Sequence, residues 1–356
     1  MRRALAAVLA GLLLVAVPTA AHAARTKKPK KPAASFVRVD GGPRTYWVYT
    51  PSGRAPHRGR PMVVYLHGCT QADDEEHEAK LAFGTGWNEL AEEKNFVVVY
   101  PIQAEYDMEQ PEAVEGNGGG CWNWFLEQNQ HRDQGEAEMI ADITRTVAAS
   151  HHVDRDRMFV AGTSAGADMT VVMGATYPDL YRAIAPYSGC AFKSCTDVTG
   201  RLAYEAMAEH ARVVPAIIFQ GDVDPVNNYA LDQTLLNQQL GTADWADDGQ
   251  PNGSVSRVPE RQTHGVESAG DVDPDPDNAC VENDNLPCYG GALGWDSYPY
   301  TVDRYSFADG SRVVVEHWTI HGLTHTYPGG DPKSTFTDPT GPDITRAAWG
   351  FFAAYR

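Results

Sequence analysis

Long hydrophobic runs are almost absent from this chain, and the one that exists lies at its start. Arg2 and Arg3 precede an apolar stretch, Ala4 to Val17, which falls short of the roughly 20 residues needed to cross a bilayer. No later segment is long and apolar enough to span one, so an integral helical membrane protein is excluded. Small residues follow the run at Ala21-His22-Ala23, and residues 1–23 therefore read as a secretory signal peptide cut after Ala23. No cysteine lies near that point, which argues against lipid attachment. The basic, proline-rich stretch "ARTKKPKKPAAS", residues 24–35, reads as a solvated, disordered linker, leaving residues 36–356 as the folded domain. The expected location is extracellular.

Cations are scarce as well. The chain has 29 Lys plus Arg against 47 Asp plus Glu, a formal net charge of −18. That balance disfavours nucleic acid and anionic membrane as partners and suits an exported protein acting on neutral material. Cysteines number only six, which in an exported chain pair as three disulfides. Cys190 with Cys195, and Cys280 with Cys288, are close enough to close small loops, and parity leaves Cys69 with Cys121. Metal-binding patterns are weak. The carboxylates from Asp271 to Asp277 alternate as in a calcium loop, yet Pro276 or Asn278 stands where such a loop needs its turn glycine. No metal and no cofactor are expected, and no internal repeat is present.

What the chain does have is an alternation of two patterns. "PMVVYLHG" and "NFVVVYP" are short runs with almost no polar residue, as are "DRMFVAGTS" and "VVPAIIFQGD", the mark of strands buried on both faces. "RAIAPYSG" is a weaker version, and "RVVVEHWTIHG" a last strand. Helical patterns lie between them at Trp87 to Lys94, Gly135 to Ser150, Ala165 to Thr176 and Leu202 to His210, with "DITRAAWGFFAAY" as a closing helix. Asp133 and Glu136 are spaced as a capping pair for the second helix. "FVRVDGGPRTYWVYTP" reads as an opening antiparallel hairpin. Together these predict an α/β fold, a mostly parallel sheet covered by helices on both faces. One region breaks the rhythm: Gly241 to Trp295 is rich in Asp, Asn, Gly and Pro, and reads as an irregular insertion tied in part by Cys280–Cys288.

Chemistry concentrates at the ends of the predicted strands. "GTSAG", Gly162 to Gly166, matches a Gly-x-Ser-x-Gly pattern that chance alone yields in on the order of one such chain in ten. Its context adds the weight: a buried strand precedes Ser164 and a small-residue helix follows, which is what a nucleophile elbow requires. Ser188 in "PYSGC" also follows a strand but lacks the second glycine context, and ranks behind it. A serine nucleophile needs a base and the base an orienting carboxylate. In the order Ser, acid, His, the chain offers Asp224 in "FQGDVDPV" and His325 in "HGLTHTYPGG", each just past a strand. Asp222 is the rival acid, nearer its strand and able instead to tie down the loop, and His321 is the rival base, followed at once by Gly322 where it can close the strand. "YLHGCTQ" places backbone N–H groups around Cys69 and Thr70 at the end of an early strand, where with Ala165 they can face an oxyanion. His67 reads as a structural hydrogen-bonder.

"LHGCTQ", "GCWNWF", "GTSAG", "GDVDPV" and "THTYPGG", in that order, resemble the secreted polyhydroxybutyrate depolymerase family, relatives of the feruloyl and acetylxylan esterases of carbohydrate esterase family one. The resemblance runs from about Phe36 to Arg356. It implies an α/β-hydrolase fold, Ser164, Asp224 and His325 as a triad, and Cys69 and Ala165 as oxyanion donors. It also supports the Cys69–Cys121 link. Gln220 departs from it, standing where many relatives carry His, and so does the long insertion. The partner so implied is an ester substrate, polyester oligomer or acylated polysaccharide, met by Thr70, Trp122 and Trp295, with Trp122 forming a flat wall beside the oxyanion loop. No separate polymer-binding domain is evident, and a monomer is expected. An acyltransferase sharing the triad, and a non-catalytic binding protein on the same scaffold, are the alternatives of other classes.

Overall fold

Residues buried on both sides make the centre of the sheet. The structure is a computed structural model and describes residues 33–40, 44–71, 84–103, 119–264, 298–334 and 336–355, all within one compact unit, Pro32–Arg356. The proposed leader lies outside the described residues, as does most of the linker. Ser35, its last residue, already pairs with Thr50. In chain order the elements are β1 (Ser35–Val39), β2 (Tyr46–Thr50), β3 (Arg60–Leu66), α1 (Trp87–Lys94), β4 (Val97–Pro101), α2 (Gly135–Ser150) and β5 (Val153–Thr163). There follow α3 (Ala165–Thr176), β6 (Ile184–Tyr187), α4 (Arg201–Met207), β7 (Ala216–Gly221), α5 (Tyr229–Asp248), β8 (Glu260–His264), β9 (Tyr300–Ser306), β10 (Val313–Ile320) and α6 (Ile344–Ala354).

Among the described residues these ten strands form one sheet in the order β1-β2-β4-β3-β5-β6-β7-β10-β9-β8, and Tyr327–Pro328 pairs with Thr337–Asp338 in a separate two-stranded one. β4 through β10 in that order run parallel, and antiparallel pairs extend both edges. Successive side chains of a strand point to opposite faces, and here both faces are covered. Met62, Val64 and Leu66 of β3 join the core under α2, α3 and α5, while Val63 and Tyr65 join the core under α1 and α6. On the second face Phe352 stacks on Phe159 with ring centroids 4.5 Å apart, and Trp349 stacks on Phe96 at 4.0 Å. This is the mostly parallel, helix-covered α/β sheet expected from the alternating patterns.

Two expectations need correcting. Gly241 to Asp248 belongs to no irregular insertion: it is the last part of α5, and Glu260–His264 adds an edge strand, while residues 265–297 lie outside the described residues. α5 lacks a clean apolar stripe because its buried face carries Asp232, Gln238, Gln239, Thr242 and Asp244; Gln238 and Gln239 bond within the helix, and the other three find partners outside it. Asp232 meets His317, Thr242 donates to the Gly200 carbonyl at 3.0 Å, and Asp244 accepts from Ser254 at 2.9 Å. Gly241 permits a close crossing, since a Cβ there would fall 1.9 Å from the Thr199 carbonyl oxygen. Nor do Asp133 and Glu136 cap α2. Gln134 holds the N-cap position without a side-chain bond, Asn129 Oδ1 accepts the Glu136 N–H at 2.9 Å, and the Glu136 carboxylate turns inward.

Candidate active site

The carboxyl ends of β3, β5, β6, β7 and β10 meet at one edge of the sheet, and the loops leaving them carry Ser164, Ser188, Asp224 and His325. Ser164 stands between β5 and α3 at φ 56°, ψ −126°, a conformation that L residues rarely adopt. Its flanking glycines are required by space. A Cβ on Gly166 would lie 2.1 Å from the Leu66 carbonyl oxygen, and one on Gly162 would lie 2.3 Å from that of Gly166. The turn is thus wedged against the end of β3, and Ser164 remains half-buried at the N-terminus of α3.

His325 Nε2 lies 3.0 Å from Ser164 Oγ, and His325 Nδ1 lies 2.8 Å from Asp224 Oδ2. The two loops concerned approach closely, because a Cβ on Gly221 would sit 2.2 Å from the Leu323 carbonyl oxygen. The Asp224 side chain has no exposure. Burial pulls its pKa up, but the bond to His325, the His325 charge, Ser188 and the Val226 N–H together outweigh this, and the carboxyl ends below its ordinary value. The N–H groups of Val226 and Asn227 bind the other oxygen at 2.8 and 3.0 Å. An anionic Asp224 accepts the Nδ1–H, which leaves Nε2 free to take a proton from Ser164.

The rival pair has a different setting. Asp222 accepts from His321 Nδ1 at 2.9 Å and from the Gly322 N–H at 2.7 Å, while His321 Nε2 lies 2.9 Å from Thr301 Oγ1. These contacts tie the turn after β10 to the loop after β7 and to β9. Ser188 is buried, so it is no rival nucleophile.

On the other side of Ser164, a Cβ on Gly68 would come 3.3 Å from Ser164 Cβ, so the loop carrying Cys69 and Thr70 abuts the Ser164 turn. Gly68 N–H donates to Gln71 Oε1 at 2.7 Å and Thr70 N–H to the Gly119 carbonyl at 2.7 Å. His67 is buried, with Nδ1 2.7 Å from the Gly68 carbonyl and Nε2 accepting the Gln103 N–H at 3.1 Å, a neutral tautomer set by its partners. Cys69 and Cys121 are bonded, as are Cys190 and Cys195; Cys280 and Cys288 lie outside the described residues. Thr70 is exposed at φ 59°. Trp122 corrects the sequence expectation: its side chain has no exposure and packs on His67, with centroids 5.4 Å apart, so it supports the loop from beneath and offers no wall to a ligand. Trp295 lies outside the described residues.

Three buried groups organise these loops: sequence reasoning gave Glu136 a capping role and Ser188 second place as a nucleophile, and missed Asp168. Glu136 accepts from the Asn123 N–H at 2.7 Å, from Asn123 Nδ2 at 2.9 Å and from Gln103 Nε2, which joins α2 to the Cys121 and His67 segments. Burial raises its pKa, though the donors from Gln103 and Asn123 oppose the rise. Asp168, one turn along α3 from Ser164, accepts the Cys190 N–H at 2.7 Å. Ser188 touches Asp224.

The parallel sheet, the turn after β5 and the loops after β7 and β10 define the α/β-hydrolase class. Comparison with known sequences is narrower: the family model described as esterase PHB depolymerase matches residues 44–247, and the chain belongs to that family. Poly(3-hydroxyalkanoate) depolymerase C of Paucimonas lemoignei is 30% identical over 289 residues, covering 79% of this chain and 58% of the relative. A probable acetylxylan esterase A of Aspergillus fumigatus is 31% identical over 159 residues, 43% of this chain and 38% of its own length. The chain thus spans little more than half, or less, of these relatives. Among solved structures, the acetyl xylan esterase from Aspergillus awamori superposes with a TM-score of 0.57 at 19% identity, over 89% of this chain and 99% of that one, which speaks to the fold alone.

Proposed function

We propose that this chain is an exported serine carboxylic-ester hydrolase that works through an acyl-enzyme, with Ser164 as nucleophile, His325 as base and Asp224 as orienting carboxylate. The observation that carries this reading is the continuous relay from Ser164 Oγ through His325 to a fully buried, anionic Asp224, at 3.0 and 2.8 Å. His325 takes the hydroxyl proton as Oγ attacks the ester carbonyl, then returns it to the leaving alcohol. Water repeats the sequence in reverse to release the acid. The N–H groups of Cys69 and Ala165 hold the developing oxyanion, each such donor contributing about 3–4 kcal/mol to lowering the barrier. Residues 1–23 direct export, and the enzyme acts as a monomer on material outside the cell.

For substrate we favour hydroxyalkanoate polyester and its oligomers. The depolymerase relative supports this, and so do Val223 and Val226, which flank Asp224 and are each 50% exposed. An apolar rim of that kind suits a chain of methyl-bearing esters better than an acetylated sugar. The acetylxylan esterase relatives support acyl groups on plant polysaccharide as the second reading. One panel tests both: hydroxybutyrate oligomers, polymer film, methyl ferulate, acetylated xylan and short p-nitrophenyl esters, with parent and Ser164→Ala. Oligomers and short aryl esters are expected to be cleaved fastest, and the variant to lose at least about 1,000-fold in kcat. Ser164→Ala with a tenth of parental activity refutes the nucleophile. Preference for acetylated xylan over every hydroxybutyrate substrate refutes the polyester assignment.

A further inference from the structure

Ser188 follows β6 much as Ser164 follows β5, and both are non-glycine residues at positive φ, 54° and 56°. Their exposure separates them. Ser188 is 0% exposed, so no substrate reaches it. Its hydroxyl instead touches Asp224 Oδ2 and lies 2.9 Å from His325 Nδ1. We propose that Ser188 is a positioning residue for the reaction, a fourth member of the relay whose hydroxyl holds the Asp224 carboxylate against His325. This rests on the Ser164–His325–Asp224 reading given above.

A carboxylate without exposure has no water to satisfy it, so each of its acceptor sites must find a protein donor. Oδ1 takes the N–H groups of Val226 and Asn227. Oδ2 takes the Ser188 hydroxyl and the His325 Nδ1–H. Ser188 is the sole side chain besides His325 among these donors, and its oxygen is also placed to share the Nδ1–H as a second acceptor. No proton leaves Ser188 in the cycle. As His325 becomes imidazolium its Nδ1–H stays between two oxygens, and the ring keeps Nε2 directed at Ser164.

The backbone around Ser188 is built to hold that pose. Its N–H donates to the Phe219 carbonyl at 2.9 Å, and Asn227 Nδ2 donates to its carbonyl, so β7 and the loop bearing Asp224 grip the residue from both ends. An unfavourable backbone angle persists only where the surroundings over-determine it. Without the hydroxyl, Asp224 keeps its charge but loses a donor, the carboxylate becomes more basic, and the coupled pair takes up a proton at higher pH.

Ser188→Gly is the decisive variant, because glycine adopts φ 54° without strain and removes only the hydroxymethyl group. Ser188→Ala, Asn227→Ala and Ser164→Ala are measured beside it on a soluble ester across the pH range. For Ser188→Gly and Ser188→Ala we expect kcat to fall about ten- to a hundredfold, the effect of one hydrogen bond to a charged group. KM should stay within about twofold, and the acid-side midpoint of kcat/KM should rise by about half a unit or more. A packing defect alone does not move that midpoint. Parental kcat and midpoint in Ser188→Gly, with Ser164→Ala inactive, overturn the role of Ser188 and leave the triad reading standing. Full activity in Ser188→Gly with loss in Ser188→Ala overturns it equally, since the backbone and not the hydroxyl then matters. An active Ser164→Ala overturns the triad itself. Should the Ser188 variants fail to fold, Asn227→Ala, which unties the Ser188 carbonyl, must shift kcat and the midpoint in the same directions, and a parental result there overturns the proposal.

Discussion

Asp168→Asn probes the cost of burying a carboxyl on the helix that follows Ser164. Asp168 is 5% exposed, and the backbone N–H of Cys190 donates to its Oδ1. Burial pushes its pKa up to about 8 from 3.8, with the Cys190 donor offsetting only part of the rise. The folded protein therefore keeps this proton where the unfolded chain has lost it. For a carboxyl with a raised folded pKa, stability is greatest below the unfolded value and declines as pH climbs to the folded value. The window here runs from about pH 4 to about pH 8. Asparagine keeps an oxygen for the Cys190 N–H and has nothing to ionise. Between about pH 5 and pH 8 the parent should lose stability relative to the variant by three units at 1.36 kcal/mol each, or about 4 kcal/mol. Water entering around the ionised group makes this an upper bound. Urea unfolding of both proteins at pH 5 and pH 9, with the slope checked for constancy, measures the gap. Other titrating groups cancel in the difference. A gap of the same size at both pH values refutes the argument, because the carboxyl would then be ionised in the folded state throughout.

Two further substitutions test the geometry of the site. Asp224→Asn should lower kcat by about 10⁴-fold, as an amide favours the wrong tautomer of the base, whereas Asp222→Asn should cost less than about tenfold because His321 only pins loops; equal losses, read by steady-state kinetics, refute the assignment of the acid. Gly166→Ala places a methyl 2.1 Å from the Leu66 carbonyl oxygen and 2.5 Å from that of His67, both backbone atoms. Either α3 or the Cys69 loop must move by about 1 Å, so a loss of about 2–3 kcal/mol in stability and about a hundredfold in kcat is expected, and a variant with parental Tm and kcat refutes the close-approach argument.

The strands could be read from sequence because burial on both faces leaves little room for polar residues: "PMVVYLHG" and "NFVVVYP" carry their environment in their composition. The same holds for the turn at Ser164, since glycines on either side of a serine between strand and helix report a backbone squeezed from both directions. α5 escaped because its buried face is polar, and buried polar groups are tolerated only where distant segments supply partners, such as His317 for Asp232. Trp122 was misread for a related reason, as an aromatic beside a site is wall or foundation according to which surface folds over it. Asp224 and Asp222 differ by two positions in one loop and look alike as residues; what separates them is that His325 meets one and His321 the other. Chain sequence alone determined most of the strands and helices and that Ser164, Asp224 and His325 would each follow a strand. Only the tertiary structure decided the partners, because Ser188, Glu136 and Asp168 act through groups that are remote in sequence and adjacent only once the parallel strands bring their carboxyl ends to one edge.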